Sequence, residues 1–142
     1  MDAIDEAVLM PVSEQIEYSD MVAAMLPLLK FQTTRITLLH VIEAPISTPL
    51  ESEGMEVIFR EAEAKVQPLQ TWLNKQGYAA EIKLVTARSV ASAISEEAGT
   101  SKYSMIFMMK RRRKKGILGI FSKSVTESVI RNVDCPVVTI LV

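Results

Sequence analysis

Cysteine and histidine are almost absent from this sequence, since one of each occurs among its 142 residues. The lone Cys135 excludes a disulfide within the chain and a zinc site built from several cysteines. The lone His40 excludes most metal centres that depend on histidine ligands. Because Ser/His/Asp, paired-carboxylate and metal-ligand spacings are also missing, we expect neither an enzyme nor a metal site.

Long hydrophobic runs are missing from the N-terminal half. Its longest run, Met21 to Leu29, falls far short of the roughly 20 apolar residues that a membrane-spanning helix needs. Residues 1–6 are acidic, which is not typical of a signal or transit peptide. These two absences favour a cytoplasmic protein with a reduced cysteine.

The overall composition is that of an ordinary globular domain, with 49% hydrophobic and 23% charged residues. It excludes a disordered tail, a collagen-like chain and a disulfide scaffold. A chain of this length buries roughly 68–70% of its unfolded surface, which is enough for a core of its own. Because no internal repeat or linker is visible, the sequence predicts a single domain over residues 1–142.

Positive charge is concentrated in one segment. Six of the 16 lysine and arginine residues form the unbroken run Lys110–Lys115, and without it the formal net charge would be −7 instead of −1. A basic face spread over the domain, as a general nucleic-acid binder has, is absent. No aromatic residue lies in the run for base stacking, so we expect no specific nucleic-acid partner.

Three interpretations of this basic segment stay open. The first is a solvated surface loop. The second is a site for a phosphorylated small molecule or other polyanion, with Ser122 and Ser124 as further donors near the start of the next helix. The third is a patch facing anionic lipid, worth at most about 6 kcal/mol for six cations, which would matter only beside a membrane transporter or other protein partner.

Short apolar runs rich in β-branched residues alternate with longer amphipathic stretches, which predicts the order βαβαβαβαβ. Strands this apolar are covered on both faces. The expected fold class is therefore α/β: a doubly wound, open, five-stranded parallel sheet with helices on both faces. The predicted strands cover residues 7–12, 35–41, 80–86, 103–109 and 136–142. The predicted helices cover residues 19–29, 55–75, 90–98 and 122–132.

Local signals mark the ends of these helices. Asn74 or Gly77 is predicted to end the second helix, and Ser89 is predicted to cap the third. The helical period of the fourth helix predicts that its apolar face consists of Val125, Val129 and Ile130.

His40 and Glu43 are spaced as His-x-x-Glu on the second predicted strand, which invites a metal or acid–base interpretation. Positions three apart on a strand face opposite sides of the sheet, so the two side chains do not converge. We expect His40 to pack in the core or to form a hydrogen bond at the strand end.

Several motifs of this sequence resemble the universal stress protein family. A Ser-Val-Thr-Glu helix start stands at residues 124–127, and a Cys-Pro-Val strand start stands at residues 135–137. Residues 38–43 and 9–12 look like the family's second and first strands, and the element order agrees over essentially the whole chain. The resemblance implies the adenine nucleotide alpha hydrolase-like, Rossmann-like fold, and a dimer in which two copies pair their last strands.

The resemblance also locates a nucleotide motif. ATP-binding members carry Gly-x-x-Gly, nine further residues and then Gly-Ser/Thr after the fourth strand. In this sequence the three glycine positions are occupied by Lys110, Arg113 and Lys123, and Ser124 follows the last of them.

Two further positions depart from the family pattern: Ser13 stands where an aspartate follows the first strand, and Ala87 where a glycine follows the third. Side chains at phosphate-loop glycines occupy ligand volume and strain the backbone by roughly 1–2 kcal/mol each. ATP binding in the usual family mode is therefore disfavoured, and no cofactor is expected. The candidate ligand or anion site consists of Ser13, Ala87, Lys110, Arg111, Arg112, Arg113, Lys114, Lys115, Lys123 and Ser124.

The last predicted strand is apolar on both faces. If it lies at a sheet edge, its unpaired backbone groups need a cover, and a symmetric dimer would supply one. The residues of this predicted dimer interface are Val137, Val138, Thr139, Ile140 and Leu141. We therefore expect a homodimeric regulatory or interaction domain. The alternative is a sensor that binds a nucleotide or other phosphorylated polyanion through residues 110–124. In one form of this alternative, the sensor acts beside a membrane transporter.

Overall fold

Strands and helices alternate along the chain in the computed structural model, which describes residues 7–12, 35–43, 55–100, 103–110 and 123–141. The strands are β1 (Ala7–Pro11), β2 (Arg35–Glu43), β3 (Ala79–Ala87), β4 (Met105–Lys110) and β5 (Val137–Leu141). The helices are α1 (Met55–Lys75), α2 (Val90–Ala98) and α3 (Lys123–Asn132). The helix predicted over residues 19–29 lies outside the described residues.

The five strands form one parallel sheet, as predicted, and the structure gives their order as β3-β2-β1-β4-β5. The chain moves outward from β1 through β2 to β3, then returns to the other side of β1 for β4 and β5. Right-handed crossovers in these two opposite directions place α1 on one face of the sheet and α2 and α3 on the other. This arrangement confirms the doubly wound fold class.

The two central strands are apolar on both faces because both faces are covered. Four consecutive residues of β1 and four of β4 are buried, which is the pattern of interior parallel strands. The buried residues of these strands are Val8, Leu9, Met10, Pro11, Ile106, Phe107, Met108 and Met109. Methionine therefore fills part of the core here.

The start of β1 is held by a residue that precedes β4. Both the N–H and the hydroxyl of Ser104 donate to the carbonyl oxygen of Ala7, at 2.8 and 3.1 Å. Val8 and Leu9 then pair with Met105 and Ile106. β1 thus joins two halves of the sheet that are distant in sequence.

Three strand ends differ from the sequence prediction. The ladder between β2 and β3 continues to the pair Glu43 and Ala87, so both strands are longer than expected and Ala87 is a strand residue rather than a loop residue. Lys110 was assigned to the basic loop, but it ends β4 and pairs with Leu141 of β5. In each case the neighbouring strand supplies backbone partners that a local pattern does not reveal.

The apolar face of α3 also differs from the prediction. Val129 is fully buried and Val125 is half-buried, as expected, but Ile130 is 51% exposed and Thr126 is buried. The placement of Ile130 on the core face was wrong, because the helix turns its 125, 126 and 129 positions toward the sheet. Thr126 is therefore buried in the core, whereas hydrophobicity alone would have placed Ile130 there.

Gly77 ends α1 in a Schellman motif. It has φ +98°, its N–H donates to the carbonyl of Asn74 at 3.1 Å, and the N–H of Tyr78 donates to the carbonyl of Leu73 at 3.1 Å. Leu73 and Tyr78 are both buried, which provides the hydrophobic contact typical of this motif. Of the two predicted helix ends, Asn74 and Gly77, the structure has the one at Gly77.

Replacing Gly77 by alanine is expected to lower the free energy of unfolding by about 1–2 kcal/mol, because an L-residue at this φ is strained. A Cβ atom at this position would meet nothing within 4 Å, so the effect is one of backbone conformation and not of a clash. Urea unfolding of the Gly77→Ala variant measures it, with Gly99→Ala as the control. Gly99 has an ordinary φ of −67°, and equal losses for the two variants would contradict the assignment.

Candidate functional site

The carboxyl ends of β1 and β4 meet at the topological switch point of the sheet, because the chain reverses its direction of travel between these two adjacent strands. Open α/β sheets bind ligands in the crevice beyond this point. β1 ends at Pro11 and β4 ends at Lys110, and α3 begins at Lys123 on the same edge of the sheet. The structure thus brings Lys110 and Lys123, which flank residues 111–122, to the edge of the sheet where a ligand would bind.

The predicted site residues divide into three groups. Lys110 ends β4, while Lys123 and Ser124 open α3. Ala87 ends β3, three strand spacings or about 14 Å from β4 along the same edge. The remaining predicted residues, Ser13, Arg111, Arg112, Arg113, Lys114 and Lys115, lie outside the described residues.

His40 fixes the backbone at the end of β1. Its side chain is buried, and Nδ1 lies 2.9 Å from the carbonyl oxygen of Val12. Because a carbonyl oxygen only accepts, Nδ1 carries the proton. The N–H of Val12 donates in turn to Leu39 at 2.8 Å, so β2 holds both backbone groups of the residue before Ser13.

The expectation of a strand-end hydrogen bond for His40 is therefore confirmed. Glu43 is exposed while His40 is buried, and the two side chains do not converge. Among the described residues, no group of three His, Cys, Asp or Glu side chains could hold a metal ion.

Helix α2 starts on the same edge and is capped as predicted. The N-cap Ser89 is extended, with φ −139° and ψ 128°, and its hydroxyl accepts from the N–H of Ser92 at 3.3 Å. This cap fixes the direction in which the chain leaves β3 directly after Ala87.

A second polar cluster lies at the opposite end of the sheet. The carboxylate of Glu97 on α2 accepts from Lys83 on β3 at 2.7 Å and from the Tyr103 hydroxyl at 2.5 Å. Sequence reasoning missed this cluster, because its members come from three separate segments and show no common spacing.

Burial, followed by the hydrogen bond to Glu97, raises the pKa of Tyr103 to about 12. The folded protein thus stabilises the neutral phenol relative to the unfolded chain, where the pKa is about 10. The resulting stability is fully present below about pH 10 and is lost as the pH rises toward about 12.

We expect the Tyr103→Phe variant to lose less stability than the parent protein over this alkaline range. Urea unfolding at several pH values between about 9 and 11.5 would measure the two slopes. Burial also raises the pKa of Tyr78. Tyr78 therefore adds the same pH dependence of stability to the parent protein and to the variant. Parallel curves for parent and variant would show that Tyr103 does not titrate as proposed.

Within the part of the chain that the structure describes, none of the helices is both long and apolar enough to cross a membrane.

Comparison with known proteins identifies the family. Residues 6–140 match the universal stress protein family. The chain belongs to this family. No curated protein matches the chain.

Solved universal stress proteins share the fold over nearly the whole chain. A universal stress protein family protein from Burkholderia pseudomallei is 23% identical, with a TM-score of 0.68 and coverage of 99% of this chain and 98% of that one. The Archaeoglobus fulgidus universal stress protein in complex with dAMP is 16% identical, with a TM-score of 0.65 and coverage of 96% and 98%. An Arabidopsis thaliana family protein with AMP bound is 16% identical, with a TM-score of 0.62 and coverage of 96% and 91%.

Proposed function

We propose that this universal stress protein is a homodimeric regulatory or interaction domain without catalytic activity, and that it pairs through β5. The observation that carries the dimer proposal is the position of β5 at an edge of the sheet. An edge strand presents a row of backbone donors and acceptors that a second copy can pair with.

The backbone of β5 offers these groups in a defined pattern. The N–H of Ile106 donates to the carbonyl of Pro136 at 2.9 Å, and Ile106 pairs with Val137. Because alternate residues of a strand turn their backbone groups to opposite sides, those of Val137, Thr139 and Leu141 point away from β4. They would form the ladder between the two copies.

The opposite edge is less suited to such pairing. β3 carries the exposed charged residues Glu81 and Lys83, and charges on an edge strand oppose association with another strand. β5 holds no charged residue between Val137 and Leu141. A symmetric dimer through β5 therefore requires no burial of charge. In light scattering at micromolar concentration, a strict monomer would contradict this part of the proposal.

We further propose that the domain does not bind ATP in the usual family mode. Lys110 and Lys123 occupy positions where the family resemblance places glycines, and their backbones lie at the end of β4 and the start of α3. Side chains here compete with phosphates for space. Ser13, in place of aspartate, supplies no carboxylate for a ribose or base.

The alternative function is a sensor of a nucleotide or other phosphorylated anion. This alternative is favoured because Lys110 and the start of α3 lie at the same edge of the sheet. There, lysine and arginine side chains and the helix N-terminus would together attract an anion. The first turn of α3 contains no acidic residue to oppose an anion. The similar proteins from Archaeoglobus fulgidus and Arabidopsis thaliana, solved with dAMP and AMP, support a nucleotide as one such ligand.

Thermal unfolding with MgATP, pyrophosphate and AMP at millimolar concentration separates these functions. A ligand at 100 times its Kd stabilises the folded state by about 2.7 kcal/mol, which raises the Tm by several degrees. We expect no shift with any of the three. A shift with ATP and pyrophosphate but not AMP would favour the polyanion sensor, and a shift with ATP alone would overturn the proposal on ATP.

A version of the alternative places the domain beside a membrane transporter, with the basic segment facing anionic lipid or an acidic partner. Sedimentation with liposomes that contain or lack anionic lipid tests it. Equal sedimentation with both would remove this version, while leaving the dimer proposal untouched.

A further inference from the structure

A cavity of about 870 Å³ opens at the amino ends of the strands. Ala7, Arg35 and Ala79, the first residues of β1, β2 and β3, lie in its wall. It is therefore at the opposite end of the sheet from the switch point and from the backbone of Lys110. Its volume falls within the range of about 300–1,000 Å³ that is typical of small-molecule sites.

One wall of this cavity is a preformed polar network. The Glu97 side chain is only 11% exposed, and its two oxygens accept from Lys83 and from Tyr103. Lys83 lies on β3, Glu97 lies on α2, and Tyr103 lies two residues before β4. Because these elements are rigid, the polar atoms are held in place before a ligand arrives.

The network leaves two charged groups of opposite sign available on β3. The ammonium of Lys83 has three donors and gives one to Glu97, and its side chain is 48% exposed. Glu81 is exposed, and no donor among the described residues pairs with its carboxylate. The two residues are two positions apart on one face of the strand, so their backbones are separated by about 7 Å.

We propose that this cavity binds a small zwitterion of the α-amino acid class, with the ligand carboxylate on Lys83 and the ligand ammonium on Glu81. The charged side chains of the lining are Arg35, Glu81, Lys83 and Glu97, and their formal charges cancel. A polyphosphate would meet two carboxylates and a polyamine would meet two cations, whereas a dipolar head group satisfies both signs.

NMR titration of the full chain with leucine tests the head-group assignment. We expect leucine to shift the amide signals of β3 around residues 81–83 at millimolar concentration. N-acetylleucine lacks the ammonium and leucinamide lacks the carboxylate, so each is expected to bind at least tenfold more weakly. A tenfold loss corresponds to about 1.4 kcal/mol.

Variants of the two charged residues provide the second test. Glu81→Gln and Lys83→Met are each expected to weaken leucine binding about tenfold, whereas Lys83→Arg keeps the charge and most of the affinity. Glu63→Gln and Lys75→Met change exposed charges on α1, outside the cavity lining, and serve as matched controls.

The proposal fails if no aliphatic amino acid shifts the β3 signals up to about 10 mM, a concentration well above the millimolar range expected for a weak site. It also fails if N-acetylleucine amide, which lacks both charges, binds as well as leucine. The cavity and the switch point lie at opposite ends of the strands. The failure of phosphate ligands to bind at the switch point would therefore leave the result of the leucine titration at the cavity unchanged.

Discussion

Thr139→Pro is expected to dissociate the dimer into folded monomers and to weaken association about a hundredfold. The N–H of Thr139 points away from β4, so proline removes a donor that a second copy needs and leaves the pairing with β4 intact. In a symmetric dimer both copies carry the substitution, so the interface loses two hydrogen bonds. Two lost hydrogen bonds, with two partner carbonyls left unpaired, cost at least about 2–3 kcal/mol, which corresponds to the hundredfold change.

Sedimentation equilibrium or light scattering across a concentration series would measure this change. Thr139→Ala is the matched control, because it removes the exposed side chain and keeps the backbone N–H. Val138→Pro should unfold the protein, since its N–H faces β4. A dimer of Thr139→Pro that is as strong as the parent would show that the two copies do not pair through this edge.

His40→Leu is expected to lower the free energy of unfolding by about 2–3 kcal/mol. Leucine fills much of the buried volume but has no donor for the carbonyl of Val12, which then remains unpaired in the core. The loss should also loosen the end of β1 at the switch point. Hydrogen exchange of the Val12 amide, which donates to Leu39, would report this local effect.

His40→Asn separates the hydrogen bond from the shape of the ring. An asparagine amide can place an N–H donor close to the position of Nδ1, so this variant is expected to recover part of the stability despite its smaller side chain. Chemical unfolding of the parent and both variants provides the comparison. If asparagine destabilises the protein as much as leucine does, the ring fills space and its hydrogen bond contributes little.

Sequence reasoning succeeded where a signal is local. Gly77 was predicted as a helix end because positive φ favours glycine, and Ser89 as an N-cap because its hydroxyl replaces a missing backbone partner. The apolar runs of β1 and β4 predicted interior parallel strands for a similarly direct reason. These features depend on a few neighbouring residues and are therefore visible without a fold.

Features that depend on distant partners were missed or misplaced. The contact of Lys83 and Tyr103 with Glu97 requires β3, α2 and the segment before β4 to come together. The strand position of Lys110 depends on pairing with β5, and the exposure of Ile130 depends on how α3 rotates against the sheet. Hydrophobic periodicity placed Val125 and Val129 correctly on the core face, but it favoured Ile130 over Thr126 there. It carries no information about which polar groups will meet.

The central position of β1 has a consequence for how the protein is made. Once residues 35–39 have been synthesised, residues 7–11 can pair with them, but the other side of β1 pairs with Met105 and Ile106. β1 therefore waits for almost a hundred further residues before its second neighbour exists. Until then it presents an unpaired apolar edge, and nascent chains of this protein are most open to mispairing and to chaperones during that interval.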